Sequence, residues 1–466
     1  MDEPILARPR FRPPAPTPGR SPPDLFAFLR QARDNPLATW TKEHFEKPVV
    51  YGKGVLGRVM VVSEPRAIRR VLVENAQNYK KDQLTRRVLA PGLGQGLFTA
   101  EGEDWRVLRR TLAPMFSPRR VASFGAPMAQ AAHVLGRRLV RREGRTVDVA
   151  VETTRLTLDV LERTIFTHGL KQDPDALGRA ITQLFAAIGP VDPLDVLGLP
   201  EWLPRIGRIR ARPAIDFFAR VVDALIGERR ALVESGEPAP QDLLTLLLGA
   251  RDPETGRGLD DLDVRANIVT FIGAGHETTA NALTWALYLV SQAPDVRARL
   301  EAEVDAVAGE APVAAEHAAA LPYAKAVVEE TMRLYPPAAF MSREAIAQDR
   351  VAGIRLPAGS IVMIAPWVLH RHALLWDDPA AFDPDRFLGA ARARIDRHAY
   401  LPFGAGPRVC IGATFALQEA VLALAEIVRV ARLDLAPGTR VEPVQRVTLR
   451  PREGMPMRVS RRRRGA

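Results

Sequence analysis

The ten residues Phe403-Gly404-Ala405-Gly406-Pro407-Arg408-Val409-Cys410-Ile411-Gly412 constrain this chain more than any other stretch. Three glycines and a proline in that span exclude regular helix and require a tight loop whose backbone approaches something closely. The run that follows, Ala413 to Leu433, is rich in helix formers and meets no proline until Pro437. The loop therefore delivers Cys410, the sole cysteine of 466 residues, to a helix N-terminus, where unpaired N–H groups and the helix dipole favour a thiolate over a thiol. A thiolate held there is a nucleophile or a metal ligand, and the competing reading is a small buried hydrophobe. A zinc site would need further cysteines or a histidine cluster, and the chain has neither. A nucleophile would need a histidine base, on which the sequence is silent.

Length and charge narrow the classes. A chain this long could hold about three average domains, but no internal linker divides it. One domain over residues 24–458 is expected, with a flexible proline-rich leader at 1–23 and a basic tail at 459–466. The chain is 47% hydrophobic, ample for a large core. A single cysteine rules out an intramolecular disulfide framework and fits a reducing cytoplasm, the location expected. The leader lacks the apolar core of a signal peptide. The most apolar helix, Ala266 to Val290, carries His276, Glu277 and Asn281, so no membrane span is expected.

Net charge is +11, with Arg461 to Arg464 in a row. No nucleic-acid motif accompanies it and the arginines are scattered, so nucleic acid is not expected as a partner. An acidic redox protein suits the charge better, with Arg106 and Arg110 offered as its docking face.

Taken in order, the chain reads as mainly α with small β-sheets. Asp24 to Ala32 is a short helix, and Val49–Tyr51 with Val59–Val62 a hairpin. Pro65 to about Glu74 is a helix, Leu89 to Ala100 a glycine-rich loop, and Trp105 to Leu112 a helix with Trp105 and Arg109 on one face. Helices follow to Gly256, interrupted by Pro190, Pro193, Pro200 and Pro204 around Trp202, a candidate flap. A second hairpin is expected from Ile354–Leu356 and Ser360–Ile364 through Pro357-Ala358-Gly359.

Two stretches break local rules. Glu330 and Arg333 sit at i, i+3 among Ala326, Val327, Val328 and Met332, a pair that, if buried, needs a further partner. Ala274-Gly275-His276-Glu277-Thr278-Thr279 puts a carboxylate and a helix-weakening glycine inside the most apolar helix, as functional sites do.

These stretches together resemble the cytochrome P-450 heme-thiolate monooxygenases. Phe403 to Gly412 fits F-x-x-G-x-R-x-C-x-G; Glu330-Thr331-Met332-Arg333 fits E-x-x-R; Phe382 to Phe387 is similar to the later P-x-R-F element, with Asp385 where glutamate is usual. Ala274 to Thr279 resembles the oxygen-activation segment, in which a threonine hydroxyl bonds back to the helix carbonyl. The resemblance runs from about Val49 to Arg450. It implies the cytochrome P-450 fold and heme b, with Cys410 as iron ligand and Phe403, Arg408 and Gly412 in the ligand loop.

The resemblance further implies propionate contacts from Trp105, Arg109, Arg408 and Arg343, with Lys81 a lesser candidate. It assigns proton delivery to Glu277 and Thr278, and a structural triad to Glu330, Arg333 and Arg386. Phe98, Ala274, Ala338 and Phe340 would line the pocket, Ala274 also touching the cofactor. The implied reaction inserts one atom of dioxygen into an apolar organic substrate. Because no flavin or nicotinamide fingerprint is present, a separate ferredoxin and ferredoxin reductase would supply electrons to a monomer. A heme-thiolate isomerase, a peroxygenase or a non-catalytic heme sensor is the alternative, and none of these needs the Glu277–Thr278 pair.

Overall fold

The computed structural model describes residues 10–54, 57–167, 193–196 and 202–463. Helices α1 (Leu25–Asp34), α2 (Gln83–Leu93), α3 (Gly102–Leu112), α4 (Gly125–Val140) and α5 (Val149–Ile165) make up the first half. In the second are α6 (Ile206–Glu234), α7 (Asp261–Gln292), α8 (Pro294–Ala308), α9 (Pro322–Leu334) and α10 (Ala413–Val430). The architecture is mainly α with small sheets, as the periodicities require.

Helix α7 organises the helical half. It starts at the Asp260 cap, whose side chain accepts the Asp263 N–H, and is buried almost all round from Val264 to Val290. It packs against α5, α6, α9 and α10. Gly275 brings α5 close, since a Cβ there would sit 3.3 Å from Leu161.

The sheet half has a five-stranded sheet, β1 (Val49–Gly54), β2 (Gly57–Val62), β3 (Tyr79–Lys80), β5 (Met341–Ala345) and β8 (Ile361–Ile364), in the order β1-β2-β8-β5-β3. All its pairings are antiparallel except β2 with β8. Strands β4 (Thr146–Asp148), β12 (Pro456–Arg461) and β9 (Ala431–Leu435) form a second sheet. Two hairpins complete it: β6 (Asp349–Val351) with β7 (Ile354–Leu356), and β10 (Pro443–Gln445) with β11 (Leu449–Pro451).

Four expectations are corrected. Ile354–Leu356 does not pair with Ser360–Ile364: the Ala345 and Ser360 backbones bond to each other, drawing β8 onto β5, and β7 turns back on β6. The glycine-rich stretch from Leu89 is helical to Leu93 and stops where Gly94 takes a φ of 65°. The leader is fastened over its described part. Phe11 packs edge-on to Tyr288, Arg10 pairs with Asp383 at 2.5 Å, and the Tyr335 hydroxyl donates to the Pro14 carbonyl. The basic tail belongs to the fold as far as Arg462, because β12 pairs with β9 to Arg461 and Arg462 forms ion pairs with Glu301 and Asp305. Of the candidate flap, Pro190 and Pro200 lie outside the described residues, and Trp202 is 78% exposed. Among the described residues no helix is long and apolar enough to cross a membrane.

Candidate active site

The cysteine loop is shaped by its glycines. Gly404 and Gly406 both have a φ of 73°, and a Cβ on Gly406 would lie 1.8 Å from the Leu72 carbonyl oxygen. No other residue type fits there. The Cys410 N–H donates to the Phe403 carbonyl at 2.9 Å, closing the loop, and Gly412 caps α10. Burial pushes the Cys410 thiol up, while the Gly412 N–H and the Arg109 charge pull it down. The groups that favour a thiolate are thus the Gly412 N–H at the helix terminus and the Arg109 guanidinium.

Three arginines come from separate elements. Arg109 on α3 donates to the Val409 carbonyl at 3.0 Å, tying α3 to the loop. Arg408 stacks over the Trp105 ring, 4.2 Å from its centroid, and pairs with Glu101. Glu101 also lies 3.8 Å from Lys81, which in turn sits over the Phe98 ring. Burial, then the nearby Arg408 charge, pushes Arg343 down to about 10, and its guanidinium donates to the Ser342 carbonyl. Among the described residues neither Arg109 nor Arg343 has a carboxylate partner, a costly state unless an anionic group completes the site. A dianionic macrocycle whose metal takes a thiolate matches this donor set, so the residues present fit heme.

On the opposite side, Ala274 is exposed although Phe271, Ile272, Gly273 and His276 around it are buried, as a residue lining an internal space is. Phe98, Ala338 and Phe340 are exposed in the same way beside buried Leu97, Thr99 and Ala339. The Phe98 loop is fastened to α7: the Leu97 N–H donates to Asn267, and Gly96 lies so close that a Cβ would meet Thr270 at 2.6 Å. The Thr278 hydroxyl donates to the Ala274 carbonyl at 2.6 Å, the back-bond read from sequence. Burial pushes the Glu277 carboxyl up, opposed by the Thr448 hydroxyl and the Arg450 guanidinium.

Glu330, Arg333 and Arg386 meet as anticipated, but unequally. Arg333 is bidentate to Glu330 at 2.6 and 2.7 Å and donates to the carbonyls of His370, Pro379 and Ala381, each at 2.8 Å. Arg386 is 3.7 Å from Glu330, and its Nε is buried without a hydrogen bond. Neutral His370, pushed down to about 3 by burial and by Arg333, accepts the Leu401 N–H at 2.8 Å. That contact connects the triad to the segment entering the cysteine loop.

The two α3 arginines expected to form a docking face both make ion pairs within the chain. Arg110 is bidentate to Asp252 at 3.0 and 3.1 Å and also pairs with Glu254, while Arg106 pairs with Glu103. Sequence reading missed Glu101, Thr448 and Arg450, since no spacing rule connects Arg408 to a residue 307 positions earlier or Glu277 to residues about 170 positions later.

The family profile described as Cytochrome P450 matches residues 18–456. The chain is 34% identical to cyclooctatin synthase of Streptomyces melanosporofaciens over 84% of each chain. It is also 34% identical to cyclooctat-9-en-7-ol 5-monooxygenase of the same organism over 82% of each. The fold superposes on the crystal structure of the cytochrome P450DA heme domain with a TM-score of 0.82, covering 97% of this chain and 99% of that one at 27% identity. The chain belongs to the cytochrome P450 family. It is an oxidoreductase that incorporates oxygen from dioxygen, and its cofactor is heme b.

Proposed function

We propose that this monomeric, cytoplasmic enzyme hydroxylates an apolar cyclic compound with electrons from a ferredoxin and its reductase. The observation that carries the reading is Cys410, presented by a glycine-shaped loop with Arg109 nearby, and the absence of an ion-paired carboxylate on Arg109 and Arg343 among the described residues. Cys410 would hold the iron, Arg109, Arg343 and Arg408 the propionates, and Trp105 would support Arg408. Bound heme supplies the oxygen chemistry. The chain's own residues exclude water, orient the substrate and deliver two protons for each RH + O2 + 2 electrons converted to ROH + H2O.

Phe98, Ala274, Ala338 and Phe340 carry no charge, so the substrate would be held near the iron by burial of apolar area. The Thr278 hydroxyl, held by the Ala274 carbonyl, and the Glu277 carboxyl would supply protons. That pair favours oxygen insertion over isomerisation or sensing. The name of one relative makes cyclooctat-9-en-7-ol the first compound to try.

The test is to add cyclooctat-9-en-7-ol and a panel of apolar ring compounds to the heme-loaded enzyme, following the Soret band. Dioxygen with a ferredoxin and its reductase are then supplied. A compound that shifts the band should emerge carrying one atom of labelled oxygen. Product without label, or product formed without a reductant, sinks the reading.

A further inference from the structure

Glu277 has two unlike oxygens. Its Oε2 is buried with no hydrogen-bond partner among the described residues, while Oε1 is 3.8 Å from the Arg450 guanidinium. That distance is a charge contact and not a hydrogen bond. The Arg450 side chain is 40% exposed and the Glu277 side chain 14%, so the pair spans from the surface to the interior.

The hairpin that carries Thr448 and Arg450 is fastened to one face of α7 through Thr448 and Leu449. Buried Thr448 accepts from the Asn281 side chain at 2.9 Å, which leaves its own O–H proton to donate. The Leu449 carbonyl accepts from Trp285 at 3.3 Å, and the Leu449 N–H donates to the Pro337 carbonyl at 2.9 Å. Glu277, Asn281 and Trp285 are successive turns of the helix. The hairpin thus holds Thr448 and Arg450 against the carboxyl with little freedom.

We propose that Thr448 and Arg450 are positioning residues for proton delivery. They keep one Glu277 oxygen at the Arg450 side of the β10–β11 hairpin and leave the other buried and free of a hydrogen bond, so that protons enter from the Arg450 surface. The inference rests on the reading of Glu277 as proton donor. In each transfer a solvent proton adds to the Glu277 carboxylate and leaves it toward Thr278, and the carboxylate is restored.

The groups facing Glu277 give the sign of the pH effect. From the hairpin these are Arg450, a cation, and Thr448, a donor, and both favour the carboxylate. On its own helix the adjacent His276 is buried and pushed down to about 4, hence neutral near pH 7 and no source of charge. Removing Arg450 or the Thr448 hydroxyl leaves burial unopposed and must raise the Glu277 pKa.

Arg450→Gln and Thr448→Val, with Glu277→Gln as reference, test this in the heme-loaded, substrate-free enzyme. The infrared C=O band that Glu277→Gln abolishes is titrated with pH. In parallel, a plant ferredoxin and its reductase drive oxygen consumption, and the share released as hydrogen peroxide is measured across pH. Both midpoints should move to higher pH by roughly 0.5–1 unit in Arg450→Gln and Thr448→Val, the upper end being a tenfold change in ionisation. Arg450→Lys and Thr448→Ser should keep the wild-type midpoint, which a merely structural role would not require. If Arg450→Gln does not fold, the Thr448→Val titration decides. Unmoved midpoints, with Glu277→Gln still altering the peroxide share, overturn the hairpin's role. A Glu277→Gln enzyme with an unaltered share overturns the proton-donor reading instead.

Discussion

Replacing Arg333 and Arg386 in turn by methionine separates two residues that the sequence pattern ranks alike. Arg333 is fully buried and makes five hydrogen bonds, two to the Glu330 carboxylate and three to backbone carbonyls. Methionine fills much of its volume but leaves Glu330, itself wholly buried, without its bidentate partner. Breaking a buried pair from one side costs about 3–5 kcal/mol. Each orphaned carbonyl adds about 1–3 kcal/mol, and because the terms are coupled they do not simply sum. A loss of ~5 kcal/mol or more is comparable with the ~5–15 kcal/mol that holds a typical protein folded.

Arg386 makes one backbone hydrogen bond, to Asp378 at 3.0 Å, and faces Glu330 at 3.7 Å with its Nε unsatisfied. Its loss should cost only about 1 kcal/mol, because Arg333 and the Asp383 N–H, at 2.8 Å, still satisfy Glu330. Heme retained after expression and the urea midpoint of the Soret signal measure both variants. Arg333→Met should yield little or no heme-loaded protein, whereas Arg386→Met should load normally with a slightly lower midpoint. Comparable losses in the two variants would refute the ranking and, with it, the weight given to carbonyl coordination.

Gly406→Ala should abolish heme loading, since the added Cβ would overlap the Leu72 carbonyl in a left-handed backbone; an enzyme with a normal thiolate-type Soret band in its reduced carbon monoxide complex contradicts this. Cys410→Ser should eliminate that same band, and its survival would disqualify Cys410 as the ligand. Thr278→Ala should leave electron consumption intact while diverting most of it to hydrogen peroxide, so an unchanged yield of product per electron counts against Thr278. Phe98→Ala should change which compounds shift the Soret band at unchanged heme content; loss of heme with the same compounds binding would make Phe98 a packing residue.

Much of this site was legible because its chemistry depends on residues close in sequence. The cysteine loop needs glycines at two left-handed positions, and they fall four and six residues before Cys410. The Thr278 back-bond is an i to i−4 contact inside one helix, and Glu330 with Arg333 is an i to i+3 pair. Such contacts follow from helical geometry alone. The strand pairings were less legible: a turn at Gly359 is compatible with a hairpin, and only the competing edge of β5 diverts β8 into the larger sheet.

What the amino-acid order determined is the mainly helical fold, the thiolate loop and the acid–alcohol pair, because each is encoded in short-range sterics, periodicity and hydrogen bonding. Tertiary structure alone decided the counter-ions. It paired Arg110 with Asp252, placed Glu101 on Arg408, left Arg109 and Arg343 without an ion-paired carboxylate among the described residues, and set Arg450 against Glu277. The physical reason is range. A charge finds its partner by distance through the folded interior, and residues far apart in the chain become neighbours only when helices and hairpins pack.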